Sequence, residues 1–167
     1  MLSFPELFEQ QLKVRGTKIP KEYYKGDLLS LDPGETTGWC YFRGMDLIES
    51  GQLKTPEVRE ATREINHLII TNQPSEIVIE EYRVYGWKTD QHAWNALITP
   101  RIIGAVESLC FAREPEIPII KQPAHVAKQF CTDTKLKQWG FYQKGMKHAR
   151  DAIRHACYYM LFGGKHR

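Results

Sequence analysis

Short runs of strand-forming residues, interrupted by turn residues, occupy positions 27–53 of the chain. Their spacing predicts three consecutive strands, over residues 27–32, 36–43 and 46–53. The second and third runs are separated only by the turn Arg43-Gly44-Met45-Asp46, so we expect them to pair as a hairpin.

A segment of different character precedes these strands. Phe4, Leu7, Phe8 and Leu12 have the spacing of one short amphipathic helix, and residues 18–25 resemble a linker. We therefore expect residues 1–26 to form an amino-terminal extension and residues 27–167 to form the folded domain.

Beyond residue 54, helical periods alternate with short apolar runs. The strand signals cover residues 76–80 and 117–121, and Ile77-Val78-Ile79 is typical of a strand covered on both faces. Pro100 should kink or break the long helical region in which it lies. The whole pattern predicts an α/β fold, with a five-stranded mixed sheet flanked by helices. The predicted helices cover residues 55–72, 88–113, 124–130 and 146–162.

Composition favours one soluble domain in the cytoplasm. The 167 residues have room for about one domain, and no apolar run approaches the roughly 20 residues that span a bilayer, so we expect no membrane contact. Glu6 and Glu9 precede any apolar core, which argues against a signal peptide. The four cysteines are far apart and form no CxxC pair, so we expect core thiols in a reducing compartment and no zinc site.

Basic residues are concentrated towards the carboxyl terminus. Residues 121–167 contain ten Lys or Arg against two acids, a net charge of +8, and the overall charge of +3 therefore leaves −5 for residues 1–120. Such an asymmetry is typical of a surface that faces phosphates, because binding to phosphates releases counterions. A solvated basic tail would explain the same pattern.

The stretch LDPGETTGW, from Leu31 to Trp39, places one carboxylate at the exit of the first strand. Pro33 and Gly34 force a turn directly after Asp32, so we expect this side chain at the sheet edge, facing a cleft. An acid among strand-forming residues is unfavourable unless it is solvated, paired or bound to a cation. We interpret Asp32 as a functional residue, and an Asp that only caps its own turn is the alternative.

A second acidic signal, Ile79-Glu80-Glu81-Tyr82, ends the fourth predicted strand. If this strand is a parallel neighbour of the first, Asp32 and Glu80 lie side by side at the carboxyl ends, where α/β sheets place ligands. Glu80 and Glu81 point to opposite faces, so only one can join Asp32. We choose Glu80 because it is the first residue beyond the apolar run, and a solvated turn is the alternative.

The last predicted helix contains a third signal, the segment HARDAIRHA. His148 and Asp151 are three residues apart and share a face near the helix start, beside a stripe of alanines that would let the helix approach the sheet. With Asp32 and Glu80, this pair would complete a four-ligand site for one or two hard cations. The alternative is that His148 and Asp151 are a pair of residues on the helix surface, exposed to water. His155 could support a ligand, but a surface or core histidine is the simpler interpretation.

Two classes of protein place a Gly/Thr hairpin after an Asp at a strand exit. In sugar-kinase and actin-like ATPases the hairpin wraps a nucleotide phosphate between two such domains, whereas in RNase H-like nucleases the Asp holds a divalent metal and one domain suffices. The length of 167 residues favours the nuclease class.

The motifs, in their order, resemble the RuvC-like Holliday junction resolvases, particularly compact phage-type members. The resemblance covers residues 27–162 and implies an RNase H-like fold, a homodimer, Mg²⁺ or Mn²⁺, and paired nicking of four-way DNA junctions by two-metal hydrolysis. It also implies a bacterial or phage-infected cell as the setting. The segments that carry it are LDPGETTGW, IVIEEY, Arg101-Ile102-Ile103-Gly104, Pro123-Ala124-His125-Val126-Ala127-Lys128 and HARDAIRHA.

Carried over by motif, the catalytic residues and metal ligands are Asp32, Glu80, His148 and Asp151. Many family members have a carboxylate where this chain has His148, which makes the site less negative and leaves the metal preference open. The family often places an aromatic that wedges into the junction after the residue matched by Glu80. The candidates for DNA contact, including this wedge and the phosphate-binding lysines, are Tyr82, Arg83, Tyr85, Lys128, Lys135 and Lys137.

Two other functions stay open from the residues alone. A metal site does not by itself select the substrate, so a related nuclease could act on flaps, branches or RNA. A non-catalytic module that binds branched DNA could keep the fold and the basic face, although the four ligand-type residues argue against it.

For the dimer contact we predict residues 88–113, whose apolar surface exceeds what one sheet face can absorb, and a fully buried core helix is the alternative.

Overall fold

The run of strand-forming residues after Asp27 produces the three antiparallel strands that the sequence predicts. The structure is a computed structural model that describes residues 4–14, 24–54, 56–83 and 98–163. One mixed sheet contains β1 (Asp27–Asp32), β2 (Thr36–Arg43), β3 (Asp46–Lys54), β4 (Glu76–Glu81) and β5 (Ile119–Pro123). The strand order is β3-β2-β1-β4-β5, with β4 and β5 parallel to β1.

Helices cover both faces of this sheet. The five-stranded mixed α/β fold predicted from the sequence is confirmed. Within the described residues the helices are α1 (Phe4–Val14), α2 (Val58–Asn72), α3 (Ile98–Phe111), α4 (Ala124–Phe130), α5 (Asp133–Gln138) and α6 (Lys147–Tyr158), the last continuing as a π-helical turn over Tyr159–Gly163.

Side-chain alternation along the central strands divides the apolar residues into two cores. Leu29 and Leu31 of β1 face the core shared with α2 and α3, whereas Leu28 faces the core shared with α6. β4 alternates in the same way, with Val78 towards α6. The residues of even number at the ends of β1 and β4 therefore lie under α6, which decides which acids can meet.

Several elements differ from the predicted ones, most of them by a few residues at their ends. β5 begins two residues later than predicted, because its pairing with β4 starts at Ile119, opposite Ile77. α5 was not predicted, although Thr132 caps it by accepting a hydrogen bond from the backbone N–H of Lys135. Pro100 lies in the first turn of α3, where a missing N–H is tolerated, and residues 84–97 before it lie outside the described residues.

Phe4 of the amino-terminal helix α1 packs into the folded domain. Phe4 is buried, with its ring 4.8 Å from the ring of Trp139 and 4.8 Å from that of Phe141. Such edge-to-face aromatic contacts stabilise a packing arrangement beyond the area they bury. Part of the predicted extension therefore belongs to the core on the α6 side.

The cysteines are core residues, as their spacing predicted. All four are buried and none forms a disulfide. Burial raises the pKa of the Cys131 thiol to about 12 and that of Cys110 to about 11, so neither is a thiolate nucleophile near neutral pH. None of the described helices has the length and hydrophobicity that crossing a membrane requires.

Candidate active site

Two strand ends bring the first pair of acids together. Asp32 is the last residue of β1, and the parallel register pairs Leu31 with Ile79, so Glu80 follows at the same level on β4. Both side chains lie on the sheet face covered by α6. Glu81 points to the opposite face, where its carboxylate accepts hydrogen bonds from Arg83 at 2.8 Å.

A glycine in β2 lets α6 approach the sheet closely. Gly38 stands opposite Asp32, and a Cβ at this position would lie 2.7 Å from the N atom of Ala149 and would collide with the carbonyl group of His148. Two hydrogen bonds hold the helix in place. The backbone N–H of His148 donates to Oε1 of Gln52 at 2.8 Å, and the Ser30 hydroxyl donates to a carbonyl of α6 at 2.8 Å.

This approach places His148 and Asp151 of α6 over the acids at the ends of β1 and β4. Nδ1 of His148 lies 2.8 Å from Oδ2 of Asp32. Nζ of Lys128, from α4, lies 3.3 Å from Oε2 of Glu80 and 3.4 Å from Oδ2 of Asp151. The four residues that the sequence predicts as ligands are thus gathered in one cluster, and the ammonium of Lys128 lies among them.

Burial and mutual repulsion dominate the electrostatics of Asp32. This residue is 8% exposed, and its burial raises the pKa of the carboxyl above the ordinary value. The charges of Glu80 and Asp151 raise it further, against the hydrogen bond from His148. The same hydrogen bond raises the pKa of the His148 imidazole. The hydrogen bond therefore favours the ionised form of Asp32 and the protonated form of His148.

Glu80 is held in the ionised form by its neighbours. Burial favours the neutral acid, but the hydrogen bond and charge of His155, together with Lys128, hold the pKa of Glu80 below its ordinary value. Burial also works against the ammonium of Lys128, yet the nearby charges of Glu80, Asp151 and Asp32 raise its pKa. Lys128 is therefore a cation at neutral pH and balances part of the negative charge of the site.

A layer of residues lies behind the cluster, of which the sequence analysis did not consider Arg154 and named His155 only as a residue that could support a ligand. Arg154 donates to the carboxylates of Asp151 and Asp133, and its Nε donates to a backbone carbonyl at 2.9 Å. His155 contacts both Glu80 and Gln122 through its ring nitrogens. The helical spacing of Arg154 from Asp151 was a usable signal. The contacts of His155 span 75 and 33 residues and left no local pattern.

A cleft of about 240 Å³ opens beside Glu80 on the side away from α6. Tyr82 and Arg83, two of the predicted DNA contacts, line it together with Pro33 and His125. Tyr85, the third candidate for the wedge, lies outside the described residues. The cleft thus continues from the carboxylate cluster to two of the residues expected to meet DNA.

The structure corrects the predicted phosphate contact of Lys135. This side chain is 8% exposed, its Nζ donates to the carbonyl of Phe130 at 2.8 Å, and it lies 3.7 Å from the centre of that aromatic ring. A phosphate could reach it only after these contacts break. Lys137 is exposed, with its Nζ 4.8 Å from the ring of Tyr142, and it stays a candidate.

Other basic residues of the carboxyl-terminal region are also engaged. Arg150 and Arg154 lie within ion-pair distance of Asp133, and Lys121 pairs with Glu107 at 2.6 Å. Several of the basic side chains counted in this region are therefore engaged in ion pairs within the domain. Lys144 and Lys147, which the sequence analysis did not single out, are exposed and directly precede the helix pair of the site.

No protein-family model and no curated protein matches the sequence. The Thermus thermophilus RuvC solved in complex with a Holliday junction substrate is 17% identical, with a TM-score of 0.62 over 80% of this chain and 94% of that chain. Another structure of Thermus thermophilus RuvC is 18% identical, with a TM-score of 0.59 and the same coverage.

The yeast mitochondrial Holliday junction resolvase Ydc2 is 14% identical, with a TM-score of 0.53 over 92% of this chain and 84% of that chain. The bacterial and mitochondrial proteins thus match most of the described domain in spite of low identity. The chain therefore has the fold of the RuvC-like Holliday junction resolvases.

Proposed function

We propose that this protein is a divalent-cation-dependent endonuclease that resolves four-way DNA junctions. The observation that carries the proposal is the gathering of Asp32, Glu80, His148 and Asp151 at the carboxyl end of the sheet. The shared fold supports it, because RuvC from Thermus thermophilus was solved with a Holliday junction substrate. The cleft beside Glu80 offers a path along which DNA could approach the cluster.

Mg²⁺ or Mn²⁺ is the cofactor that we propose. As they stand, no three His, Cys, Asp or Glu side chains in the described part of the chain lie close enough to enclose an ion. The donor set nevertheless fits a hard cation, since the Lys128 ammonium already lies between two carboxylates. Carboxylate oxygens and one imidazole suit Mg²⁺ and Mn²⁺. Asp32, Glu80, His148 and Asp151 would hold the cofactor.

A bound divalent cation supplies Lewis-acid polarisation of the scissile phosphate and activates the attacking water. Asp32 and Glu80 project from neighbouring strands, so the backbone fixes their separation. Because Asp32 engages Nδ1 of His148, the ring would offer Nε2 to a cation. The Lys128 ammonium lies between Glu80 and Asp151, and it could contact a phosphate if a cation balanced these two carboxylates.

The substrate test is a cleavage assay with four DNA or hybrid substrates. A four-way junction, a flap, a plain duplex and an RNA:DNA hybrid are each incubated with the protein and Mg²⁺, with EDTA as the control. We expect paired nicks in the junction and little cutting of the others. If flaps or hybrids are cut faster than the junction, the faster substrate takes the place of the junction in the proposal. Junction binding without any cutting would indicate a non-catalytic module.

Metal choice gives a separate prediction. An imidazole suits softer ions better than a third carboxylate would, so we expect Mn²⁺ to support cleavage at least as well as Mg²⁺ and Ca²⁺ to support binding only. His148→Asp should move the preference towards Mg²⁺. The measurement is the cleavage rate across a titration of each ion. His67→Asp, on the exposed face of α2, is the control, and an unchanged preference in His148→Asp would exclude His148 as a ligand.

Junction affinity should fall steeply with salt, because lysines neutralise phosphates. Because Lys135 is buried, the variant that tests this replaces the exposed residues Lys137 and Lys147. Replacing both exposed lysines by Ala should make the slope of log affinity against log salt less steep by about 0.9 for each lost phosphate contact. Lys135→Ala should instead lower the melting temperature without changing the slope. An unchanged slope in the double variant would place the DNA elsewhere.

We also propose that the protein acts as a two-fold dimer. A four-way junction offers two symmetry-related strands, which two active sites related by a two-fold axis can cut together. Within the predicted contact region, Ile102 is fully buried against α2, so a charge there would unfold the domain. Phe111 of α3 is 75% exposed and is the better probe.

Sedimentation at micromolar concentration tests the dimer. Phe111→Asp is expected to shift the protein from dimer to monomer, because the charge would have to be buried in the contact. Ile48→Asp, at an exposed position of the edge strand β3, is the matched control and should leave the dimer intact. The dimer would be contradicted if the wild-type protein sediments as a monomer and makes uncoupled nicks.

A further inference from the structure

His155 is a buried histidine whose two ring nitrogens are both engaged. It is completely buried on α6, one turn beyond Asp151. Its Nε2 lies 2.9 Å from Oε2 of Glu80, and its Nδ1 lies 2.7 Å from Oε1 of Gln122. Two contacts in different directions leave the imidazole ring little freedom to rotate.

The sheet register explains how one ring reaches both partners. Glu80 of β4 and Gln122 of β5 are directly paired, so their side chains project from the same face at the same level. α6 lies over that face, and His155 meets both side chains from above. Gln122 is itself 6% exposed, so this arrangement is closed to solvent on the side away from the cleft.

The direction of the hydrogen bond to Glu80 follows from the chemistry of the groups. An ionised carboxylate only accepts, so Nε2–H of His155 donates to Oε2. Oε2 also accepts from Lys128 at 3.3 Å. Among the described residues no hydrogen bond reaches Oε1 of Glu80. The two donors therefore occupy one carboxylate oxygen and leave the other available.

We propose that His155, itself held by Gln122, is a positioning residue that fixes the Glu80 carboxylate so that Oε1 is presented to the divalent cation. This inference rests on the proposed function. The hydrogen bonds of a buried histidine and amide offset the cost of removing these groups from water but give only modest net stability. They also orient the Glu80 carboxylate, because outer hydrogen bonds restrict how a metal ligand can turn.

The test compares Mn²⁺ affinity, measured by calorimetry without DNA, in three variants. His155→Leu removes the donor and is expected to weaken Mn²⁺ binding by roughly 10–100-fold, with a parallel fall in kcat. His155→Gln keeps an amide N–H that can reach Glu80 and should restore much of the affinity. Gln122→Met leaves the imidazole in place without its second partner, should give a smaller loss, and keeps the test usable if His155→Leu fails to fold.

Tyr159→Phe is the matched control, because Tyr159 follows α6 and donates to Glu76 at the opposite end of β4. It should leave Mn²⁺ affinity unchanged, whatever it does to the melting temperature. If His155→Leu and Gln122→Met lower the melting temperature but bind Mn²⁺ as tightly as the unchanged protein, His155 only packs the core and the inference is wrong. If the unchanged protein neither binds Mn²⁺ nor cuts junctions, the proposed function itself fails.

Discussion

Asp32→Asn is expected to slow junction cleavage by on the order of 10³-fold or more while leaving junction binding intact. A divalent cation contributes several kcal/mol of transition-state stabilisation, and each 1.36 kcal/mol is a factor of ten in rate. An amide at position 32 is a neutral and weaker ligand than the carboxylate, and it also loses the charged partner of His148. Binding survives because it depends on lysines that contact phosphates. Glu80→Gln should behave in the same way.

Each of these strands offers its own control. β1 begins with Asp27, and β4 begins with Glu76, both at the end of the sheet opposite the site. Asp27→Asn and Glu76→Gln make the same chemical change there and should cut junctions at the unchanged rate. The readouts are single-turnover cleavage with Mg²⁺ and junction affinity in EDTA. Near-normal cutting by Asp32→Asn or Glu80→Gln would remove that residue from the site.

Gly38→Ala is expected to damage both stability and cleavage. The added methyl group would collide with the backbone of His148, and overpacking of this kind typically costs about 1–3 kcal/mol. For a chain of this length, each kcal/mol lowers the melting temperature by about 2–4 °C. Relief of the clash requires α6 to move away from β2. The helix would carry His148 and Asp151 with it, so cleavage should fall further than the loss of stability explains.

Gly104→Ala is the control for this substitution. Gly104 lies in α3 with open space around an added Cβ apart from the backbone of its own helix, so Ala should stabilise the helix by about 0.8–1 kcal/mol and shows the effect of an added methyl group without a clash. Thermal unfolding and cleavage are measured on both variants. A Gly38→Ala protein with normal melting temperature and normal cleavage would show that α6 does not need this close approach.

Local sequence was enough to identify most elements and the acids at their ends. β1 and β2 have the predicted bounds because apolar runs and the turns between them are encoded by neighbouring residues. Side-chain alternation along a strand allowed only one of Glu80 and Glu81 to join Asp32, and Glu80 was chosen as the first residue beyond the apolar run. The structure puts Glu80 on the face of Asp32. The short helix α5 is an exception that its Thr132 cap could have revealed.

Partners distant in sequence could be decided only by tertiary packing. Nothing in the sequence around Lys135 indicated that its ammonium would turn inward and donate to a carbonyl. Nothing in the segment around Lys128 indicated that this lysine would lie between two carboxylates. His155 was best read as an ordinary histidine until β4 and β5 were found paired beneath it.

The physical reason is the range of the forces involved. Backbone preferences and hydrophobic periodicity act between residues a few positions apart, and they determined the strands, the last helix and the chemical types available at their ends. The contacts that turn those residues into a site join positions 116 and 75 residues apart, as for His148 with Asp32 and His155 with Glu80. Gly38 lets the start of α6 approach the sheet beside His148, and that geometry belongs to the tertiary structure.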